Sequence, residues 1–188
     1  MADAAAPLRL LAISGSLRKA SNSTALAHNL DELAPEDAAV AVLTLHDVPL
    51  YDGDLEGENA PAGVRALRGA IAEADGLILV SPEYNYSIPG VLKNAIDWAS
   101  RPAFASCLVD KPVLIVTQSP GPTGGLRAQG PLRETLSGTL ARVLARKQVA
   151  IGGAGGKLQD GRFIDDKGRE VLSEALADLV AEIGRLRG

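Results

Sequence analysis

Short apolar segments alternate along the chain with longer segments in which apolar residues recur every three or four positions. The short segments predict five strands: Leu8 to Ser14, Val40 to Leu45, Leu77 to Ser81, Val113 to Thr117 and Val149 to Ile151. The longer segments predict helices at residues 22–33, 61–74, about 89–100, 126–146 and 166–186. Residues 46–60 hold Pro, Gly and acidic residues and are expected to form a loop.

The alternation of strands and helices indicates an α/β fold. Apolar strands between amphipathic helices are typical of a parallel sheet that is covered on both faces. The 188 residues contain no linker and no internal repeat, so residues 1–188 are expected to form a single domain, with the Ala-rich residues 1–7 frayed. We predict a flavodoxin-like, doubly wound, three-layer α/β/α fold whose five-stranded parallel sheet has the order 2-1-3-4-5.

Composition narrows the class of function. Hydrophobic residues make up 46% of the chain and charged residues 22%, which allows a packed core. The net charge is −4 and the basic residues are scattered, so a nucleic-acid partner is not expected. No apolar segment approaches the roughly 20 residues that span a bilayer, and the start of the chain lacks the pattern of a signal peptide.

The metal-binding residue types are sparse. Cys107 is the only cysteine, so the chain forms neither an intramolecular disulfide nor a cysteine-based metal site, and it suits a reducing cytoplasm. Neither His28 nor His46 has a cysteine or a second histidine nearby in the sequence. We therefore expect a cytoplasmic protein without a bound metal.

The first candidate loop, Ser14 to Thr24 (SGSLRKASNST), joins the first strand to the first helix. Its hydroxyl groups, its backbone N–H groups and the start of a helix all favour an anion, and Arg18 can grip a phosphate with two hydrogen bonds. An ordinary Ser-capped helix start is the alternative. The loop lacks both the Walker spacing and the glycines of a dinucleotide fingerprint.

The second candidate loop follows the third strand and reads PEYNYSIPGVLKN, residues 82–94. Its backbone N–H groups and the Asn85 amide can serve the carbonyl and ring-nitrogen acceptors of a flat ligand, and Tyr84 or Tyr86 can flank that ligand. A surface loop stabilised by its prolines is the alternative. Aromatic residues are only 3% of the chain, so two tyrosines in one loop favour a binding role.

The third candidate loop is Ser119 to Gly125 (SPGPTGG), where three glycines allow close approach of the backbone to a ligand; a plain turn is the alternative. The three loops follow strands 1, 3 and 4, so they are expected to meet at one edge of the sheet. Together they offer a phosphate site and two borders for a planar polar ring, as flavin mononucleotide (FMN) requires. Residues 152–157 (GGAGGK) lack the Walker spacing and are interpreted as a flexible turn.

Two segments, GSLRKASNS and SPEYNYSIPGVLKNAIDWASRP, resemble the signatures of the NADPH-dependent FMN reductase family, which includes soluble quinone, chromate and azo-dye reductases. The similarity extends over nearly the whole chain, including SPGPTGG, RAQGPLRETL and DGRFID. The resemblance implies bound FMN, with NADPH or NADH as co-substrate. Arg18 and Arg101 are candidates for recognising the 2′-phosphate of NADPH.

The resemblance also assigns site residues by position. The FMN phosphate would be contacted by Ser16, Arg18, Ser21 and either Asn22 or Ser23, because the family often has Asn at the place of Ser23 and this chain has Asn one residue earlier. The flavin ring would be contacted by Pro82, Glu83, Tyr84 and Asn85. The far edge of the ring would be lined by Ser119, Gly121 and Gly124.

The expected function is an FMN-dependent NAD(P)H oxidoreductase. Hydride passes from the nicotinamide to the flavin and then to a quinone, chromate, an azo dye or free flavin at the same face, in a ping-pong sequence. Backbone N–H groups of residues 119–125 would favour the charge of reduced flavin, and no residue is assigned as a catalytic acid or base. The resemblance implies a homodimer or homotetramer with the third and fourth helices as contact faces.

Two other classes of protein stay open on the sequence. A flavodoxin-type electron carrier would need a strongly acidic docking face, which a net charge of −4 and Arg-rich helices disfavour. A non-enzymatic flavin-binding module would bind FMN without turning over an acceptor. Loss of the cofactor altogether is disfavoured by the intact segment 82–94.

Overall fold

The computed structural model describes residues 6–188, and its centre is a parallel sheet. The strands β1 to β4 lie in the order β2-β1-β3-β4, and β5 and β6 both pair with β4 at the far edge. Their bounds are β1 Leu8–Ser14, β2 Ala38–Leu43, β3 Gly76–Pro82, β4 Pro112–Ser119, β5 Arg142–Val143 and β6 Val149–Gly152. The predicted order 2-1-3-4-5 is confirmed, with two short strands sharing the fifth position.

Helices cover both faces of the sheet, as the alternation of the sequence predicts. They are α1 Asn22–His28, α2 Ala62–Glu73, α3 Gly90–Ala99, α4 Gln129–Gly138 and α5 Asp166–Arg187. A two-stranded hairpin, β7 Leu158–Gln159 and β8 Arg162–Phe163, turns at Asp160 and Gly161 and precedes α5. The loop 46–60 holds two short 3-10 turns.

The two faces of the sheet carry separate hydrophobic cores because successive strand residues point to opposite sides. One core packs the sheet against α1 and α5, through residues such as Ala12, Ile78, Val116, Leu26 and Leu176. The other packs it against α2, α3 and α4, through residues such as Ile13, Leu79, Ile115, Leu67 and Leu132. All seven residues of β3 are buried, as expected for a central strand.

The predicted helix 126–146 is wrong in its second half. Residues 126–128 form a 3-10 turn, α4 ends at Gly138, and Leu140 has a left-handed backbone with φ 61°. The chain then turns back along β4, where the N–H groups of Arg142 and Leu144 donate to carbonyl oxygens of β4 and the residue before it. Pairing with a strand satisfies these backbone groups as well as a helix does. It also extends the sheet beyond the first residues of β4.

The predicted helix 22–33 is also shorter, since α1 ends at His28. The side chain of Asn29 donates to the carbonyl oxygens of Ala25 and Gly161 and accepts from the N–H of Phe163, each at 2.8 Å. Asn29 therefore ends α1 and anchors the β7–β8 hairpin to it. Residues 31–33 continue as a separate 3-10 turn.

Candidate cofactor-binding site

The three candidate loops leave the same edge of the sheet. In the parallel register, Ser14 of β1 lies beside Val80 of β3, and Pro82 of β3 lies beside Gln118 of β4. Each loop therefore begins at the carboxyl end of a neighbouring strand, where open α/β sheets bind their ligands. The expectation that the loops meet at one edge is met by this register.

A fourth loop joins this edge. Ser119 at the end of β4 lies beside Gly152 at the end of β6, and the N–H of Gly153 donates to the carbonyl oxygen of Gly121 at 3.0 Å. Residues 154–157 form a 3-10 turn that packs beside the third loop. The sequence predicts a flexible turn here, after the last strand. Its position after the fifth predicted strand was the signal that could have placed it here.

The first loop is held in shape by its own hydroxyl groups. The Oγ of Ser14 and the Oγ1 of Thr24 share a hydrogen bond of 2.8 Å across its two ends. The Oγ of Ser16 accepts from the N–H of Arg18 at 3.3 Å, and the Oγ of Ser21 accepts from the N–H of Thr24 at 3.2 Å, which caps α1. The loop therefore has a defined conformation before any ligand arrives.

The charge of the first loop suits a phosphate. Residues 14–24 contain no carboxylate. Arg18 and Lys19 are exposed, and within residues 6–188 neither of them forms an ion pair. Two cations without acidic partners beside serine hydroxyl groups form a donor set that matches a phosphate dianion.

Asn22 and Ser23 are placed very differently. Ser23 is fully buried, and its Oγ accepts a hydrogen bond of 2.8 Å from the Nε2 of Gln118. Asn22 is partly exposed, and its Nδ2 would lie 3.8 Å from a Cβ built on Gly155 of the fourth loop. Asn22 thus faces the space between the first and fourth loops, while Ser23 faces the protein interior.

The second loop is a tight two-residue turn. The N–H of Tyr84 donates to the oxygen of Ser87 and the N–H of Ser87 to the oxygen of Tyr84, both at 3.0 Å. The residues between them, Asn85 and Tyr86, have φ values of 50° and 64°. Two successive positive φ values match the type I′ turn, which reverses a chain within two residues. The side chains of Tyr84 and Tyr86 are exposed at this edge.

The side chain of Glu83 is used within the protein. Its Oε2 accepts from the backbone N–H of Arg127 at 3.0 Å, and its Oε1 lies 3.6 Å from the Arg127 guanidinium. The same guanidinium lies 4.4 Å from the centre of the Tyr86 ring. The second and third loops are therefore joined through Arg127, which the sequence analysis did not single out.

The glycines of the third loop have different surroundings. A Cβ on Gly124 would lie 2.7 Å from the carbonyl carbon of Ala150 and 2.8 Å from the nitrogen of Ile151, and its φ is 62°. Gly124 therefore allows the loop to lie against β6. A Cβ on Gly121 would meet only the Oγ of Ser119, at 3.7 Å, so Gly121 faces open space.

Residues of α3, which follows the second loop, form hydrogen bonds with the neighbouring loop 46–60. Asn94 on α3 accepts from the N–H of Tyr51 and donates to the oxygen of Pro49, both at 2.8 Å. Trp98 is fully buried and donates to the same oxygen of Pro49 at 2.9 Å. The Nε2 of His46 donates to the oxygen of Leu17 at 3.1 Å, which links this loop to the first one.

Arg101 is already engaged by two neighbours. Its guanidinium stacks over the Tyr51 ring at 5.4 Å and lies 3.3 Å from the carboxylate of Glu56. The hydroxyl of Tyr51 donates to the same carboxylate, and this hydrogen bond raises the pKa of Tyr51. Arg101 also lies just past α3, which starts at the site and runs away from it. As a candidate for the 2′-phosphate, Arg101 is therefore already occupied by protein partners.

Two other features among residues 6–188, a cavity beside Lys111 and the Cys107 thiol, lie away from these loops. A cavity of about 480 Å³ at the opposite edge of the sheet contains Lys111, whose Nζ donates to the oxygen of Ala74 at the end of α2. Burial lowers the pKa of Lys111, and the contact identifies Lys111 as a C-terminal cap of α2. Burial raises the pKa of the Cys107 thiol, whose Sγ lies 3.4 Å from the oxygen of Ala99, so the thiol is not activated.

Metal and membrane signatures are absent from the described part of the chain. Among residues 6–188, no three His, Cys, Asp or Glu side chains are grouped closely enough to hold a metal ion. In the same range, no helix combines the length and the apolar character needed to cross a bilayer.

The fold and the loop edge define a flavodoxin-like protein with a nucleotide-binding site. The family model of the NADPH-dependent FMN reductases matches residues 8–156. The chain is 39% identical over 182 residues to an NAD(P)H-dependent FMN reductase of Pseudomonas aeruginosa, covering 96% of this chain and 98% of the relative. It is 42% identical over 173 residues to a quinone reductase of Escherichia coli K12, covering 91% of this chain and 88% of the relative.

A solved structure agrees with these relatives. FerB, a flavoenzyme NAD(P)H:(acceptor) oxidoreductase from Paracoccus denitrificans, superposes with a TM-score of 0.84 at 31% identity, covering 95% of this chain and 98% of FerB. The chain belongs to the NADPH-dependent FMN reductase family. It is an oxidoreductase whose cofactor is FMN and whose electron donor is NAD(P)H.

Proposed function

We propose that this protein passes electrons from NAD(P)H through FMN, bound by the four edge loops, to a quinone. Chromate, an azo dye or free flavin are the alternative acceptors. Two observations support the quinone: relatives such as the E. coli protein are named quinone reductases, and the site lies on an open edge beside exposed Tyr84 and Tyr86. The convergence of the loops at one sheet edge carries the proposal.

The first loop would hold the phosphate of FMN. Arg18 supplies the positive charge, and Ser16, Ser21 and Asn22 supply hydroxyl and amide donors around it. The absence of any carboxylate between residues 14 and 24 supports this assignment. Ser23 would act indirectly, because its buried hydroxyl is bonded to Gln118.

The second and third loops would hold the flavin ring. Pro82, Glu83, Tyr84 and Asn85 would contribute mainly backbone groups, since the Glu83 carboxylate is bonded to Arg127. On the other side, the ring edge would meet Ser119 and Gly121, where a Cβ would find open space. Gly124 would support this border by letting it pack on β6.

When bound, FMN supplies the redox chemistry, since it accepts a hydride from NAD(P)H and gives two electrons to the acceptor. The protein orients the reactants and favours negative charge at the ring with backbone N–H donors of residues 119–125. We assign no catalytic acid or base, because the only carboxylate of residues 82–86 and 119–125 is Glu83, which is held by Arg127. An open face would make NAD(P)H and acceptor bind in turn, which gives ping-pong kinetics.

We further propose a cytoplasmic homodimer or homotetramer in which α3 and α4 are the contact faces. Exposed apolar side chains support this proposal, since Leu126 and Leu140, which flank α4, have 43% and 48% of their surfaces exposed. A neighbouring subunit that covers Leu126 would also cover the rim of the flavin site.

Steady-state kinetics test the proposed sequence of binding. The rate of benzoquinone reduction is measured at several fixed NADPH concentrations with FMN present. Parallel double-reciprocal lines are expected, since the first product, NADP⁺, leaves before the quinone binds. Intersecting lines would show that both substrates bind together and would overturn the ping-pong sequence.

A further inference from the structure

The turn at Asn85 and Tyr86 needs support from outside itself. Asn tolerates a left-handed backbone, but a bulky residue such as Tyr rarely adopts φ values near the 64° of Tyr86. The two hydrogen bonds between Tyr84 and Ser87 are local and lie at an exposed edge, where water competes for them. Residues in such conformations persist when the surrounding structure over-determines them.

Arg127 contacts one residue before this turn and one residue within it. Before the turn, the Glu83 carboxylate accepts the Arg127 N–H at 3.0 Å and lies 3.6 Å from its guanidinium. Within the turn, the Tyr86 ring lies under the same guanidinium at 4.4 Å. The Glu83 side chain is only 12% exposed, which strengthens its hydrogen bond relative to one in open water.

Arg127 is itself held in a rigid place. It lies in the 3-10 turn 126–128, directly before α4 and after the left-handed Gly125. Gly125 packs against the backbone of β4, since a Cβ there would lie 3.0 Å from the oxygen of Gln118. The residue that holds the second loop is thus anchored to the central sheet.

We propose that Arg127 is a positioning residue: it clamps Glu83 and Tyr86 and so holds the Asn85–Tyr86 turn, and with it the backbone donors of the second loop, in the conformation that receives the flavin ring. The inference deepens the proposed function and rests on it for the identity of the ligand. The clamp itself is a property of the protein without ligand, so it can be tested separately.

The first test is amide hydrogen exchange in the FMN-free protein. Arg127→Ala removes the stack and the ion pair but keeps the backbone N–H that Glu83 accepts. We expect the amides of Tyr84 and Ser87 to exchange about three- to tenfold faster than in the wild type, from the size of one exposed cation–π contact and one ion pair. Arg185→Ala is the matched control, since Arg185 is an exposed, ion-paired arginine on α5. Unchanged exchange at Tyr84 and Ser87 in Arg127→Ala would overturn the clamp.

A second pair of variants controls for a general loss of stability in Arg127→Ala, because it tests the stack without changing Arg127. Tyr86→Phe keeps an aromatic ring under the guanidinium, whereas Tyr86→Leu removes it. Exchange at Tyr84 and Ser87 is expected to stay closer to the wild-type rate in the Phe variant than in the Leu variant. Equal rates in the two variants would contradict the role of the stack.

Ligand binding connects the clamp to the cofactor. In Arg127→Ala the dissociation constants of FMN and of riboflavin are expected to rise by the same factor, because the clamp acts on the ring and not on the phosphate. A rise for FMN alone would overturn the assignment to the ring loop. If the wild-type protein binds neither flavin, the proposed function fails, while the exchange measurements still decide whether the clamp exists.

Discussion

The Nε2 of Gln118 donates a hydrogen bond of 2.8 Å to the Oγ of Ser23, and both side chains are buried. The bond joins the end of β4 to the first turn of α1, directly beneath the loops assigned to the ring and the phosphate. Ser23 is therefore part of the buried frame beneath these loops, and we assign Asn22, its partly exposed neighbour, to the proposed binding surface.

This difference predicts opposite effects of two alanine substitutions. Ser23→Ala leaves the Gln118 amide without a partner inside the protein, so it is expected to lower the free energy of unfolding by about 1–3 kcal/mol. Asn22→Ala is expected to leave unfolding nearly unchanged and to weaken FMN binding severalfold. Urea unfolding and FMN titration of the two variants measure both quantities. A stable Ser23→Ala protein with weakened FMN binding would reverse the assignment.

Arg18 and Lys19 predict a phosphate-specific effect. Arg18→Gln removes a charge-assisted hydrogen bond worth about 1.5–3 kcal/mol, so the dissociation constant of FMN is expected to rise about tenfold or more. Riboflavin lacks the phosphate, and its affinity should not change. Lys19→Gln is the neighbouring control and is expected to have the smaller effect. Equal weakening of FMN and riboflavin in Arg18→Gln would place Arg18 away from the phosphate.

Gly121 and Gly124 separate binding from packing within one loop. Gly124→Ala puts a Cβ 2.7 Å from the backbone of Ala150 at a φ of 62°, so it is expected to destabilise the fold by about 1–3 kcal/mol. Gly121→Ala meets open space and should unfold like the wild type, but it narrows the proposed ring site and should weaken FMN binding. Thermal unfolding and FMN titration distinguish the two. A destabilised Gly121→Ala variant would mean that this space is not open in solution.

The interaction of Asp165 with Lys157 is expected to make the stability of the protein depend on pH. Its hydrogen bond with Lys157 lowers its pKa, and its carboxylate also caps α5 by accepting from the N–H of Gly168. The pKa of Asp165 in the folded protein is thus below its value near 3.9 in the unfolded chain. The ionised carboxylate therefore contributes fully to the free energy of unfolding above about pH 4, and this contribution is lost as the pH falls through the folded-state pKa.

Asp165→Asn tests this contribution because Asn can cap the helix without the charge. The variant is expected to be less stable than the wild type at pH 7, and the difference should shrink as the pH falls below 4. Denaturant unfolding between pH 7 and pH 2.5 measures it. A difference that is constant with pH would show that the charge of Asp165 makes no contribution.

The sequence predicts the sheet order and the edge at which the candidate loops meet because both follow from local patterns. The buried run of β3 and the polar loops after β1, β3 and β4 can be seen without any tertiary contact. The burial of Ser23 cannot be predicted from local sequence, since its partner Gln118 is 95 positions away. The early end of α4 also depends on tertiary structure, because residues 142–144 leave the helix to pair with β4.

Arg127 shows the same limit at the site. Its sequence neighbours give no sign that its N–H bonds to Glu83, 44 positions earlier, or that its guanidinium covers Tyr86. The fourth loop is the opposite case, because a loop after the fifth strand of such a sheet must emerge at the same edge as the others. Its lack of the Walker spacing excludes a Walker loop but carries no information about its place at this edge.

The most direct test of the central claim is the visible spectrum of the protein with FMN, followed under anaerobic conditions after adding NADPH and, in a second sample, NADH. We expect the flavin absorbance to appear with the protein and to bleach rapidly with at least one of the two donors. Flavin that binds but keeps its absorbance with both donors would indicate an electron carrier or a binding module. A protein that binds no FMN would contradict its assignment as an FMN-dependent oxidoreductase.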